Sequence, residues 1–586
     1  MDSPVNCCEF DTFIPSSKQK IRWLEKVSAM KDLLLDKANK ALLAANWQQA
    51  KSILENAVVE NPSAEVYEAM AKACWWLNDA PAVFENRTKA YQLYLEKDDR
   101  LGASRNACWL GVDHLEFNNE FAVASGWFQR AESLVKGLEN TAEYALILML
   151  KARLAFFVEK NNGQALQLAG ESLKLSVSLN NVEGVMIAKA FIGFIWVTEG
   201  KISQGMKLLD EATLIATTDT TIDYNLITVT CCFLIDACTR VRDYERAGQW
   251  CKRVKEISIK KNHKAMFANC RTLYASLLIH KGEWKEAEDE LTAAAKELKE
   301  YRPIVISSST VRLADLRRRQ GRWEEALTLF DEVTSHSLKP LSCAALAYDR
   351  GEYENAENLA ERHLRQIPLG TPIERVTGLE LLMRIYIKRN KTEEALTLLN
   401  ELKETAGLIN TLPLKAAALS AEGIYDYAAK KYTTAKHFLE DAVDLYDKVI
   451  LPFEASRSRL ILAEVLVNLH QYAQAEAELN IAINAFRELG AEKDIAKAKY
   501  ILKNLHNEKI KPDAGDNIYE FTGRELEILR LIAEGKSNEE MAEQLFLSVR
   551  TIEKHISNLY QKMGISGKSA RAFVVSYSIR HHLIDT

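Results

Sequence analysis

A polar run near the C-terminus, from Ser548 to Lys562, has the residue types and spacing of a surface that binds nucleic acid. When it is projected as a helix, Val549, Ile552, Ile556, Leu559 and Met563 share one face, which must pack inward. The opposite face carries cationic, hydroxyl and amide side chains: Arg550, Lys554, Ser557, Asn558 and Gln561. Such groups reach phosphates and base edges in a DNA major groove. The run is therefore a candidate recognition helix.

The elements that position this helix are marked by caps and glycines. Residues 522–525 (TGRE) and 537–540 (SNEE) are capping boxes, so they predict the starts of a first and a second helix. Gly535 ends the first helix, residues 546–547 form a tight turn, and Ser548 caps the third helix, which ends at Gly564. A fourth helix is predicted from about Ser569 to His582. A short helix, a tight turn and a longer helix together predict a helix-turn-helix.

Charge is segregated within this module. The whole chain has a formal net charge of -5, which does not by itself indicate a nucleic-acid partner. Residues 518–547 hold three basic and seven acidic side chains, whereas residues 548–586 hold six basic and two acidic ones. The module can therefore present a positive face although it is nearly neutral overall.

The runs TGRELEILRLIAEGKSNEEMAEQL and TIEKHISNLYQKMGI resemble the LuxR-type helix-turn-helix over their whole length. The positions that fit the family pattern are Glu525, Leu529, Gly535, Ser537, Asn538, Ala542, Leu545, Ser548, Thr551, His555 and Gly564. The resemblance implies DNA binding by the third helix and dimer contacts through the fourth. Glu553 departs from the family, which usually has Lys there. A carboxylate can accept a hydrogen bond from cytosine N4, so this departure bears on base preference.

Two sets of site residues follow. The expected DNA-binding set is Ser548, Arg550, Thr551, Glu553, Lys554, His555, Ser557, Asn558, Gln561 and Lys562. The fourth helix carries more apolar side chains than one core face needs. It therefore supplies an expected dimer interface at Val574, Tyr577 and Ile579.

Upstream of the module, a short signature recurs about every forty residues. It consists of an often aromatic residue, two further residues, and then Ala or Gly. It occurs at Trp47, Phe121, Ile202, Tyr244, Trp284, Trp323, Tyr353, Thr392, Tyr432 and Tyr472, with weaker copies near Ala80 and Asn162. Each unit contains two helical patterns, and a helix pair of this kind buries its apolar face only by stacking on its neighbours. The aromatic residues are expected to pack inside their own repeats.

This pattern resembles lengthened tetratricopeptide repeats, like those of the sensor arm in the maltose-regulon activator family. The expected fold class is all-α, a tetratricopeptide-like α-solenoid followed by a four-helix LuxR-type module. The predicted parts are an N-terminal tail (1–19), the repeat domain (20–505), a linker (506–518) and the DNA-binding domain (519–586).

No catalytic residue, metal site or cofactor is predicted. The GKS triplets at 535–537 and 567–569 lack the first glycine of a phosphate-binding loop, and the ten cysteines lack metal-ligand spacing. The N-terminus has no secretory signal pattern, and no apolar stretch is long enough to span a membrane. These features predict a cytoplasmic protein that associates with the nucleoid when it is bound to DNA.

The favoured interpretation is a non-enzymatic transcription regulator. Its expected partners are double-stranded DNA, a second copy of the chain on DNA, and an effector ligand or protein on the repeats; RNA polymerase is a further candidate. The alternative is a helical-repeat scaffold whose C-terminal module docks protein. The polar outer face of the third helix favours DNA, because protein-docking helices more often present apolar anchors there. An enzyme with an unrecognised site is the third class.

Overall fold

Every predicted signature residue begins a helix in the computed structural model. The structure describes residues 33–60, 62–219, 222–260, 264–298, 303–334, 336–509, 521, 523–567 and 569–580. The second helices of the repeats are α2 (Trp47–Glu60), α4 (Ala80–Glu96), α6 (Phe121–Leu134), α8 (Asn162–Ser178), α10 (Ile202–Thr218), α12 (Tyr244–Lys260), α14 (Trp284–Leu298), α16 (Trp323–Glu332), α18 (Tyr353–Arg365), α20 (Thr392–Ile409), α22 (Tyr432–Lys448) and α24 (Tyr472–Leu489). Both weaker signatures, at Ala80 and Asn162, therefore also begin helices.

The first helices alternate with these. They are α1 (33–43), α3 (Ala64–Trp76), α5 (Arg100–Asp113), α7 (Ala142–Phe157), α9 (Val182–Thr198), α11 (Tyr224–Arg240), α13 (Lys264–Lys281), α15 (Pro303–Gln320), α17 (Lys339–Asp349), α19 (Pro372–Lys388), α21 (Leu412–Ala428) and α23 (Pro452–Asn468), with α25 (Glu492–Lys509) following the last pair. All regular structure in the described residues is helical, which confirms the all-α fold class. The tail at 1–19 and linker residues 510–518 lie outside the described residues.

One backbone feature explains the regular spacing. The residue two places before each signature position has a positive φ, at Ala45, Asn78, Asn119, Lys160, Gly200, Arg242, Gly282, Gly321, Gly351, Asn390, Lys430 and His470. A left-handed residue ends the first helix and turns the chain, and glycine and asparagine adopt this conformation most easily. In the Trp284 repeat this residue is Gly282, with a φ of 83°.

The small residue of the signature lets the two helices of a pair approach closely. Ala50, Ala287 and Ala475 are each fully buried at this position. At Gly205, a Cβ atom would lie 2.5 Å from the carbonyl oxygen of Gly193 on the partner helix, so only glycine fits there. The expectation that the aromatic signature residue packs inside its own repeat is confirmed for Trp284. Its side chain is buried and donates from Nε1 to the Ile279 carbonyl at 2.9 Å. Phe121 departs from the expectation, since 43% of its surface is exposed.

The array coils back on itself, so that repeats far apart in sequence are in contact. Arg242 donates two hydrogen bonds to the Glu380 carboxylate, at 2.9 and 2.7 Å. The Thr411 hydroxyl donates to the Val241 carbonyl at 2.7 Å. The inner wall encloses a cavity of about 1130 Å³, here called the central cavity, which is lined largely by the first helices of the pairs. No helix in the described part of the chain is long and apolar enough to cross a membrane.

Candidate DNA-binding module

Four helices form the C-terminal module, α26 (Gly523–Ala533), α27 (Asn538–Gln544), α28 (Val549–Lys562) and α29 (Ala570–Arg580). The capping box predicted at α27 is confirmed. Ser537 Oγ accepts from the Glu540 amide at 3.1 Å, and the Ser537 amide donates to the Glu540 carboxylate at 2.6 Å. Thr522, from the other predicted capping box, lies outside the described residues.

The turn between α27 and α28 sets the direction of α28, the candidate recognition helix. Phe546 has a φ of 52°, which reverses the chain, and its side chain is 95% exposed. Ser548 then caps α28, since its Oγ accepts from the Thr551 amide at 3.2 Å. The helix ends before Gly564, whose φ is 64°. These termini agree with the sequence prediction to within one residue.

The two faces of α28 differ sharply in burial. Ile552 and Leu559 are fully buried in the core of the module, and Ile556 and Met563 are nearly so. Val549 was expected to pack inward, but it is 36% exposed, because it lies in the first turn at the edge of the module. Six members of the expected DNA-binding set are exposed on the outer side: Arg550, Glu553, Lys554, Ser557, Asn558 and Gln561.

The other members of that set have local partners or partial burial. Ser548 is exposed but is engaged as the helix cap, while Thr551 and His555 are half-buried. Lys562 donates to the Glu525 carboxylate of α26 at 2.7 Å. Glu525 is only 5% exposed, and a buried carboxylate requires a cation or donors beside it. Lys562 was expected in the DNA-binding set, and the sequence did not predict this ion pair.

The expected dimer residues on α29 occupy three different settings. Val574 is fully buried in the module core, whereas Tyr577 is half-buried, with its ring 6.0 Å from that of Phe521. The side chain of Ile579 lies outside the described part. Ala572 and Ser576 are the exposed positions of this helix among those described.

The module rests against the last repeats through the segment between α28 and α29. Lys436 of α22 donates to the carbonyl and the hydroxyl of Ser566, at 3.3 and 3.4 Å. Ser569 donates to the Glu440 carboxylate at 3.4 Å, and burial at this contact raises the pKa of Glu440. Ala473 of α24 packs against the apolar core of the module. This contact, here called the docking contact, leaves the outer face of α28 exposed.

No cluster of three or more His, Cys, Asp or Glu side chains in the described ranges is placed to hold a metal ion.

Segments in both parts of the chain match known protein families. Residues 520–575 match the family described as bacterial regulatory proteins, luxR family. Residues 309–344 match a tetratricopeptide repeat, and residues 381–404 match a PPR repeat.

The similar curated proteins are regulators, and the similarity is confined to the module. The transcriptional regulatory protein LiaR of Bacillus subtilis is 45% identical over 65 residues, which are 11% of this chain and 29% of LiaR. The oxygen regulatory protein NreC of Staphylococcus carnosus is 45% identical over 62 residues, which are 11% of this chain and 27% of NreC. The chain thus spans less than a third of the length of these relatives.

Two solved structures resemble the repeat array only distantly. The apo form of the quorum sensor NprR from B. thuringiensis aligns with a TM-score of 0.35 and 16% identity, over 58% of this chain and 97% of NprR. Yeast Tom70 aligns with a TM-score of 0.29 and 13% identity, over 83% of this chain and 98% of Tom70. Together with the family matches, the geometry of the module shows that this chain carries a LuxR-type helix-turn-helix domain at its C-terminus, behind tetratricopeptide-like repeats.

Proposed function

We propose that the protein is a transcription regulator that works in the cytoplasm and binds double-stranded DNA by placing α28 in the major groove. The observation that carries this proposal is the exposed outer face of α28, with Arg550, Lys554 and Asn558 turned away from a fully apolar inner face. Arginine and lysine contact phosphates and guanine, and asparagine pairs with adenine in the major groove. No catalytic role is proposed for any residue.

We propose that binding occurs as a dimer, because one helix-turn-helix covers few base pairs and specific sites usually contain two half-sites. The partner surface is α29, as expected from Tyr577 and Ile579. The proposal extends this surface to the exposed Ala572 and Ser576, since Val574 is already buried within the module. The docking contact lies beside this surface. It therefore gives the repeats a means of limiting dimerisation while the outer face of α28 stays exposed.

The repeats are proposed to bind the effector, with RNA polymerase as a further partner. An effector that alters the coiling of the last repeats changes the docking contact, and through it the availability of α29. A ligand shifts such an equilibrium only by its difference in affinity between the docked and released states.

Weakening the docking contact is expected to strengthen DNA binding. Glu440→Ala deletes the acceptor of Ser569 and leaves α28 unchanged. One lost hydrogen bond corresponds to about a threefold to tenfold gain in affinity for a DNA site, measured by fluorescence anisotropy. The control is Asp441→Ala, the adjacent carboxylate, which pairs with His437 on the exposed side of α22. Equal affinities for the two variants and the wild type would mean that the hydrogen bond between Ser569 and Glu440 does not limit DNA binding.

The experiment that tests the proposed function is retention of fragmented genomic DNA by the full-length protein, followed by sequencing. The expected result is a recurring motif with two similar halves. Retention without any shared sequence at physiological salt, or no retention at low salt, would favour the protein-docking scaffold.

A further inference from the structure

The wall of the central cavity is rich in charge, and most of its carboxylates are paired with arginines. Six of its carboxylates pair with arginines: Asp236, Asp315, Asp349, Glu374, Glu380 and Glu454. Asp236 and Asp315 pair within their own helices, whereas the other four carboxylates pair with arginines of another repeat. They leave little net charge where they lie.

Arg312 of α15 lies outside these pairs, as do four other basic side chains of the wall: Lys160, Arg384, Lys388 and Lys497. Its guanidinium donates to the hydroxyl of Ser276 at 2.6 Å and to the carbonyl of Ser308 at 3.2 Å, and it forms no ion pair with a carboxylate in the described part of the chain. Neutral hydroxyl and carbonyl acceptors orient a cation without cancelling its charge. The side chain is half-buried in the wall of the cavity, and its Nη2 has no partner among the described atoms. A positive group is thus held in position and turned toward water inside the array.

His336 adds a neutral donor to the same wall. Its Nδ1 accepts from the Leu338 amide at 3.2 Å, so the ring proton lies on Nε2. Burial and the charge of Arg312 lower the pKa of His336 to about 4, so the ring is uncharged at neutral pH. An Nε2–H group of this kind can hydrogen-bond to an anion that Arg312 attracts.

An apolar wall lies next to these donors. The rings of Phe157 and Phe233 lie 6.4 Å apart and nearly parallel, and Phe157 is 41% exposed although both line the cavity. The Arg240 guanidinium lies 5.1 Å from the Phe194 ring, and its charge and that of its partner Asp236 both act on Arg312. The cationic and aromatic parts of the wall are therefore neighbours.

We propose that the central cavity binds a small organic acid, with its carboxylate on Arg312 and His336 and its apolar body along Phe157 and Phe233. The cavity exceeds the volume of most small-molecule sites, so such a ligand fits with water around it. The inference deepens the proposed function, because the bound acid would be the effector of the repeats.

The test uses full-length protein without DNA and two probes of the same shape, 2-naphthoate and its neutral analogue 2-naphthamide, in titration calorimetry. The wild type is expected to bind naphthoate at least about tenfold more tightly than the amide, since a charge-assisted pair with arginine distinguishes them. Arg312→Gln should remove this preference, and Arg312→Lys should retain part of it. Arg365→Gln, a matched change at an exposed arginine of α18, should leave it unchanged.

Octanoate serves as an aliphatic acid in the same titration. Tighter binding of octanoate than of naphthoate would support the carboxylate contact and would indicate that the apolar part of the ligand is aliphatic. Equal binding of naphthoate and naphthamide by the wild type would overturn the proposal without reference to any variant. So would an unchanged preference in a folded Arg312→Gln protein. Because the titration contains no DNA, a negative result for acid binding would not contradict the DNA-binding proposal. A failure to retain genomic DNA would likewise not contradict a measured preference for naphthoate.

Discussion

Lys554→Glu is expected to lower affinity for a specific DNA site by at least about a hundredfold, because the change acts in both halves of a dimer and each direct contact contributes about 1–3 kcal/mol. Lys554 is exposed in the middle of the outer face of α28 and has no partner within the described module. The substitution removes a cation and places a second carboxylate beside Glu553. Fluorescence anisotropy on a fragment recovered from genomic DNA measures the loss.

The control for this prediction is Arg530→Glu, which makes the same charge change on the exposed side of α26. It changes the net charge of the module equally and leaves α28 intact, so it should weaken binding far less. Losses of similar size in the two variants would mean that net charge, and not the face of α28, determines binding.

Alanine substitutions on α28 separate the two kinds of contact. Arg550→Ala should weaken binding to all sequences and lower the slope of log affinity against log salt by about one, as expected for a lost phosphate contact. Lys554→Ala should relax base preference. Equal, sequence-independent losses for both would remove Lys554 from base recognition.

Asp349→Ala is expected to lower the free energy of unfolding of the array by about 1.5–3 kcal/mol, since the buried Arg318 loses one of its two carboxylate partners and keeps only Asp315. Asp349 of α17 pairs with Arg318 of α15 and, at 3.2 Å, with Arg457 of α23. The Arg318 side chain is only 8% exposed. The contact with Arg457 joins repeats that are distant in sequence, so its loss should also loosen the coil around the central cavity.

Urea unfolding followed by circular dichroism measures this effect. Asp36→Ala is the matched control, since its partner Lys40 is 73% exposed and such surface pairs contribute about 0–1 kcal/mol. A change at Asp349 no larger than that at Asp36 would contradict the prediction. Arg318 and Arg457 hold the pKa of Asp349 below its usual value, so its contribution is present above about pH 4 and is lost as the pH falls further.

The repeat architecture could be predicted because the same local interactions recur in each repeat. The signature residue starts a helix, the residue three places later is small and buried, and Gly282 supplies the turn. The coiling of the array was not predictable, because it depends on pairs such as Arg242–Glu380, which lie in different repeats and follow no period in sequence.

Within the module, the sequence predicted helix termini better than side-chain partners. Caps and glycines act locally, so Ser537 and Gly564 mark their helix ends in the sequence as in the structure. The pair Lys562–Glu525 joins α28 to α26, and its geometry depends on how the helices cross. The sequence carried no signal for this pair, because Glu525 was assigned to a capping box and its burial is visible only in the structure.

Methylation interference on a recovered DNA fragment tests directly whether α28 occupies the major groove. Methylation at guanine N7 adds a group to the edge of the base that faces the major groove. If α28 lies in the groove, methylation should block binding of the full-length protein in two clusters about one helical turn apart, and Lys554→Ala should weaken the interference within each cluster. Binding that tolerates N7 methylation at every guanine of the fragment would contradict it.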